Sequence, residues 1–254
     1  MKNIPDESEL LCESCGYIIA GLPGGARCPE CGRETARSSA LNRIGSPWQA
    51  RPTLRYWAMT NLLMLARPTR VLDRLRMDPR GARSLLTVNL LVSGLLLSAP
   101  WTAVLIGDPA RAARGGPYRS LIFASSLTVQ AAAIAGTLAL LTAIEARGIR
   151  FFGTRRGWRI TRNIAWQVCA HASVGWIIAA CLTLLSLVVW LNLSSFGLTG
   201  WLERRSNAGS SILAVVPLSG FFLGMLVFET LAYIGMRRCR FANAPSSTAR
   251  EPAE

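Results

Sequence analysis

Charge is the scarce ingredient of this sequence. Only 17% of its 254 residues are Asp, Glu, Lys or Arg, where a soluble domain of this size needs about a quarter to cover its surface. An ordinary soluble globule is excluded, and the hydrophobic 51%, with a mean hydropathy of +0.31, must be concentrated somewhere. Catalytic patterns are also missing. There is no G-x-S-x-G elbow, no H-E-x-x-H, no glycine-rich phosphate loop and no pair of carboxylates near a nucleophile, so no enzyme is expected. Residues 1–13 are polar and acidic and lack the apolar core of a secretory leader. The first apolar window, near Leu85, is therefore expected to act as an uncleaved insertion signal.

Four apolar windows are present, at 85–106, 121–144, 164–191 and 212–236. Each exceeds the roughly 20 residues that a helix needs to cross about 30 Å of hydrocarbon. They predict an all-α membrane protein with a four-helix transmembrane bundle. The net charge of +14 reads as topology. Segments 1–84, 145–163 and the tail after 236 hold 23 of the 28 Lys+Arg, and the two intervening loops hold 5. By the positive-inside pattern both termini are expected in the cytoplasm, with the chain in a bacterial inner membrane. The lipid surface accounts for most of the charge, so a nucleic-acid partner is not required.

Residues 37–84 form a basic linker. Stretches 54–66 and 69–77 are apolar on one side and basic on the other, and each is too short to span. With Trp48, Tyr56 and Trp57 as interfacial aromatics, they predict amphipathic helices on the cytoplasmic leaflet, with Arg67, Arg70, Arg74, Arg76, Arg80 and Arg83 on lipid headgroups. A linker packed on the bundle is the alternative. Pro100 and Pro217 are expected to kink their spans without breaking them. The polar tail, 241–254, is expected to be disordered.

Four of the seven cysteines lie in residues 1–36. Cys12, Cys15, Cys28 and Cys31 follow C-x2-C-x12-C-x2-C, and a glycine follows each second cysteine. A two-residue spacer turns both thiolates of a pair onto one ion, while the glycine permits the tight turn. Two such knuckles make a zinc ribbon with one closed, structural Zn site, whose binding energy folds a module too small for its own core. Disulfides are the competing reading, disfavoured in a reducing cytoplasm. The loop between the knuckles carries only Arg27 as a cation, so protein contact or docking on the chain's own membrane domain is expected of the ribbon.

Two ionisable residues lie well inside the windows, His171 and Glu229. Both fall seven residues from the cytoplasmic end of a span, on the order of 10 Å deep, so they can form an intramembrane polar pair if their spans are neighbours. A pair that sets helix register is preferred to a transport relay, which generally needs a chain of such groups. Gln167 and Glu145 could extend the cluster. The spacings Gly220-x3-Gly224, Gly175-x3-Ala179 and Ala132-x3-Gly136 are expected to mediate close helix packing, within the chain or in a homo-oligomer. Cys239, among arginines, sits where acylation is conceivable.

The pattern Cys-x2-Cys-Gly-Tyr followed by Arg-Cys-Pro-Glu-Cys-Gly-Arg, then Trp48, the 54–76 stretch with its Arg-Pro, and Ala170-His171-Ala172 resembles bacterial zinc-ribbon membrane proteins of the Ypt-interacting-protein (Yip) type. That resemblance implies a non-enzymatic membrane scaffold or adaptor, with a cytoplasmic protein as partner beside the lipid bilayer. A small transporter or channel subunit built on His171 and Glu229 is the alternative, and a membrane-tethered nucleic-acid binder ranks third.

Overall fold

A computed structural model of the chain describes residues 9–23, 25–77, 79–106, 117–195 and 209–243. Among them are eight α-helices: α1 (Pro47–Ala50), α2 (Leu54–Ala66), α3 (Pro68–Asp73), α4 (Pro79–Ile106), α5 (Pro117–Arg155), α6 (Arg162–Ala172), α7 (Val174–Ser195) and α8 (Gly209–Arg238). No strand occurs among the described residues. Isolated antiparallel bridges join Leu11 to Ile18 and Arg27 to Glu34.

Four helical stretches are long and apolar enough to cross a membrane: Pro79–Pro100, Ser120–Arg155, Arg162–Val189 and Leu218–Arg238. Helices α4 and α8 run through Pro100 and Pro217 unbroken. The third stretch is interrupted at Ser173, between α6 and α7. There the Ser173 hydroxyl accepts a 2.8 Å bond from Asn89 Nδ2, and Trp176 N bonds Ser173 O at 3.0 Å.

The chain divides into two compact units. The first comprises Met1–Leu86, Thr142–Ala172 and Thr230–Glu254, and the second comprises Thr87–Leu141 and Ser173–Glu229. Compactness thus cuts across the expected division into ribbon, linker and bundle. Among the described residues, 21 arginines belong to the first unit and one, Arg119, to the second.

In the first unit, α2 is turned in an unusual way. It buries Thr60, Asn61 and Met64, while Leu54, Met59, Leu62 and Leu65 are exposed, Leu54 at 79%. Trp48, expected at the lipid interface, is buried instead. Its backbone N–H donates to Thr60 Oγ1 at 2.9 Å and its Nε1 to Ser84 Oγ at 3.0 Å, because a buried indole needs a partner for its N–H.

Small residues set the packing of the second unit. Gly224 lies so close to α7 that a Cβ there would sit 2.1 Å from Ala179 Cα, and a Cβ on Gly175 would sit 2.5 Å from Phe228 Cα. The Gly220/Gly224 and Gly175/Ala179 spacings therefore meet each other, and Trp176 stacks on Phe228 at 4.5 Å beside them. The third expected stripe differs. Ala132 and Gly136 are exposed, and α5 instead meets Gly94 of α4 through Ala131 and Ala135, one position earlier.

Gly224→Leu should cost at least about 1–3 kcal/mol through overpacking, whereas Gly136→Leu, with nothing within 4 Å of a Cβ, should stay within about 0.5 kcal/mol of wild type. Thermal unfolding in detergent measures both. Equal effects would show that the α7–α8 approach contributes no stability.

Candidate metal centre

The two cysteine pairs are built alike. In the first, Cys12 N bonds Tyr17 O at 2.8 Å and Gly16 N bonds Cys12 O at 2.8 Å. In the second, Cys28 N bonds Arg33 O at 2.7 Å and Gly32 N bonds Cys28 O at 2.9 Å. Each turn closes through a glycine with positive φ, +84° at Gly16 and +69° at Gly32, a conformation other residues rarely adopt. This repeated geometry is what the C-x2-C-G spacing encodes.

The four sulfurs lie within 4.8 Å of one another, with Cys12–Cys31 at 3.5 Å and Cys15–Cys28 at 3.6 Å. A tetrahedral site with metal–sulfur bonds of about 2.3 Å needs sulfur–sulfur edges of about 3.8 Å. The cluster therefore fits one ion held by all four thiolates. Burial acts to raise the Cys12 thiol, but the Cys15 and Ser14 amides and the Cys31 and Cys15 sulfurs outweigh it and bring the thiol down to about 7. Cys15 moves oppositely. Burial, with the Cys28, Cys12 and Cys31 sulfurs, pushes it up to about 12 despite the Tyr17 amide. Four close thiols cannot all ionise without a cation among them, so binding releases protons and weakens as pH falls.

The apolar cluster inside the cysteine segment is small, Cys12, Ile19 and Cys28 with Leu22 against it, and Leu11 is fully buried as well. The segment is held instead by the chain beyond α8, within the same unit. Asn243 accepts from Leu11 N at 3.1 Å and donates to Leu11 O at 2.8 Å and Ser38 O at 2.7 Å. Arg159 donates to Asn243 Oδ1 at 2.6 Å and to Glu9 O. Glu13 accepts from Asn243 N at 3.0 Å and from buried Arg43 through both oxygens, at 2.9 and 2.8 Å. That carboxylate outweighs burial and holds the Arg43 pKa above its ordinary value. The Phe241 ring lies under Gly16, 2.7 Å from where a Cβ would stand. Asn243, in the tail expected to be disordered, is thus a buried clamp, while 244–254 lie outside the described residues. None of these clamp residues stood out in the sequence, since Asn243 and Leu11 are far apart along the chain and share no motif.

The first unit also contains His171, fully buried. Its Nδ1 faces Gln167 O at 2.9 Å and its Nε2 faces Ser46 Oγ at 3.0 Å. A carbonyl can only accept, so Nδ1 carries the proton and Nε2 accepts from the serine. Ser46 is also the N-cap of α1, in a capping box with Gln49. Gln49 Nε2 reaches Gln167 Oε1 at 3.2 Å and Arg76 O at 2.7 Å. Gln167 meets His171 through its backbone carbonyl, its side chain going to Gln49, and Ser46 is the unforeseen member. The S-x-x-Q capping box, with Pro47 at the first turn, was the signal that could have found it. Glu229 is half-buried and belongs to the second unit.

Arg67, Arg70, Arg74, Arg76, Arg80 and Arg83 are all exposed. Arg76 bonds Ile44 O at 3.0 Å. Cys239 is fully buried, with its sulfur 3.6 Å from Leu72 O, and burial pushes its thiol up to about 11. Its full burial closes the sulfur to an acylating reagent. Compared with known proteins, the chain matches no family model, no curated protein and no solved structure.

Elemental analysis of the purified full-length protein should find one metal ion per chain, lost severalfold in Cys31→Ser and increasingly as pH is lowered from about 8 to about 5. Asn243→Ala should retain the metal yet lose on the order of 3 kcal/mol of stability, because it removes the side-chain partner of Leu11 N–H, Leu11 C=O and Ser38 C=O and one acceptor of Arg159. Unchanged unfolding of Asn243→Ala would remove the clamp from this account.

Proposed function

We propose that the chain is a non-enzymatic integral membrane scaffold or adaptor, in which a structural zinc ion organises a cytoplasmic ribbon that engages a protein partner. The observation that carries this reading is the unequal exposure of the two knuckles. The first is taken up by Asn243, Arg240 and Phe241, and the Arg240 guanidinium donates to Ser14 O at 2.6 Å. The second is exposed from Pro29 to Glu34. Exposed Leu10, Tyr17 and Ile18 add apolar surface on the same segment. A module held this rigidly presents its free knuckle at fixed orientation, which lowers the entropy cost of capture.

Zinc is preferred to other ions because four thiolates with near-tetrahedral edges suit it and the closed set leaves no position for catalysis. Orientation follows from charge. The three segments read as cytoplasmic, 1–84, 145–163 and the stretch after 236, fall in one compact unit with nearly all the described arginines, as expected if they share a side. A bacterial inner membrane with both termini inside fits that distribution, and the likeness to Yip-type ribbon proteins rests on the cysteine pattern.

The transporter reading has less support. Both ring nitrogens of His171 are committed to Gln167 and Ser46, so the ring has no nitrogen left for cargo. The buried Ser46–His171 contact has the atoms of a hydrolase pair. However, the hydroxyl also caps α1, the imidazole is oriented by a backbone carbonyl, and both side chains are closed to solvent.

Crosslinking and pull-down of the full-length protein from native membranes should capture a specific cytoplasmic protein. Capture should be reduced at least about tenfold by the exposed-knuckle change Glu30→Arg/Arg33→Glu, with metal content unchanged. Proteoliposome flux abolished by Glu229→Gln, with no such partner, would favour transport instead.

A further inference from the structure

Beside α2 and α3 lies a cleft of about 370 Å³, within the roughly 300–1,000 Å³ of small-molecule sites. Its floor is apolar, made by Tyr56, Met59 and Leu63 of α2 and by Val71 of α3. Three guanidinium-bearing residues, Arg67, Arg70 and Arg74, stand at its rim, at a spacing that places them along one side of α3. Among the described residues no carboxylate lines the cleft. The three arginine side chains are exposed, and none makes a hydrogen bond or ion pair with a described residue. The opposite wall is fixed by Gly45, whose N–H donates to Arg74 O at 2.8 Å. Gly45 has φ +88°, and a Cβ there would lie 3.1 Å from both Arg76 Nε and Gln49 Oε1.

We propose that this cleft binds one anionic phospholipid, its phosphate held by Arg67, Arg70 and Arg74 and the start of an acyl chain laid on Tyr56, Met59 and Leu63. Three unpaired cations around an apolar floor match an amphiphile with one anionic end. The rim alone would suit a free phosphate equally, but the floor would not. The outer side of α2 points to the source. Leu54, Leu62 and Leu65 of the same helix are exposed while α2 buries Thr60 and Asn61, the arrangement expected of a helix lying in the acyl–headgroup boundary. Of the six arginines on this stretch, the cleft selects three, and Arg76 is turned away onto the Ile44 carbonyl.

The proposal rests on the membrane reading and is independent of the adaptor reading. Native mass spectrometry of the full-length protein in mild detergent, titrated with phosphatidylglycerol, phosphatidylethanolamine or inorganic phosphate, tests it. One phosphatidylglycerol per chain should be retained at least about tenfold better than phosphatidylethanolamine, and inorganic phosphate should not displace it. Arg67→Gln/Arg70→Gln/Arg74→Gln should lose that preference, and Leu63→Trp, which fills the floor, should weaken retention while the arginines remain. Arg147→Gln/Arg150→Gln, arginines of a different cleft, should retain it, and helix content and metal content report folding of every variant. Equal retention of the two lipids, displacement by phosphate alone, a triple variant that still selects phosphatidylglycerol, or a protein dimer occupying the cleft would each overturn the proposal. Release of the protein from membranes by alkaline carbonate would overturn the membrane reading itself, a result distinct from an embedded protein without lipid preference.

Discussion

A segment whose buried apolar side chains are Leu11, Cys12, Ile19 and Cys28 cannot fold on apolar burial alone. So few small or medium side chains supply only a few kcal/mol, far less than the conformational entropy of ordering the two dozen or so residues around them. Two other constraints replace the missing core. One is the four-cysteine cluster, whose geometry could hold a metal ion and so close the loop between the knuckles. The other is the set of hydrogen bonds that Asn243, Arg159 and Arg240 make to its backbone. The second constraint makes the first unit a single body built from three distant parts of the chain. A free-standing ribbon on a linker would need neither Phe241 beneath Gly16 nor a buried Arg43–Glu13 pair.

The polar interior of this unit follows the same logic. Ser46, Gln167 and His171 are buried, with Gln49 partly exposed beside them, and each polar group with a described bond has a partner matched in donor and acceptor sense. The chain from Gln49 N–H to Ser46 Oγ, from Ser46 O–H to His171 Nε2, and from His171 Nδ1–H to Gln167 O runs in one direction. The other imidazole tautomer would leave the Nδ1 lone pair facing the Gln167 carbonyl, acceptor against acceptor. A lone histidine in an apolar window invites a transport reading from sequence, but here it is the acceptor that completes a helix cap.

What could be read from the sequence was what depends on local spacing or on length. The four apolar windows coincide with helices because about 20 apolar residues have few other stable forms, and the cysteine spacing sets both knuckle turns and the sulfur cluster. The basis of Trp48 burial was not legible, because its indole partner, Ser84, is 36 residues away. Nor was the packing face of α5, where Ala132 and Gly136 satisfy the small-residue pattern as well as Ala131 and Ala135 do. Composition cannot choose between adjacent faces of one helix; that choice is made by Gly94 on the opposite helix. The break at Ser173 likewise depends on Asn89, which no local pattern links to it.

Charge and apolar surface are separated in the first unit in a way that a water-surrounded domain would not tolerate. Arginines crowd this unit, yet α2 turns Leu54, Leu62 and Leu65 outward and buries Thr60 and Asn61. Water on that face would favour the reverse orientation, since burying two polar side chains while exposing three leucines loses on both counts. Lipid contact would resolve the conflict, with the leucines against acyl chains, while the buried hydroxyl of Thr60 takes the Trp48 amide at the start of α1. The inverted helix is therefore consistent with the membrane that four helices are long and apolar enough to cross, and the arginine-rimmed cleft lies on the same helix.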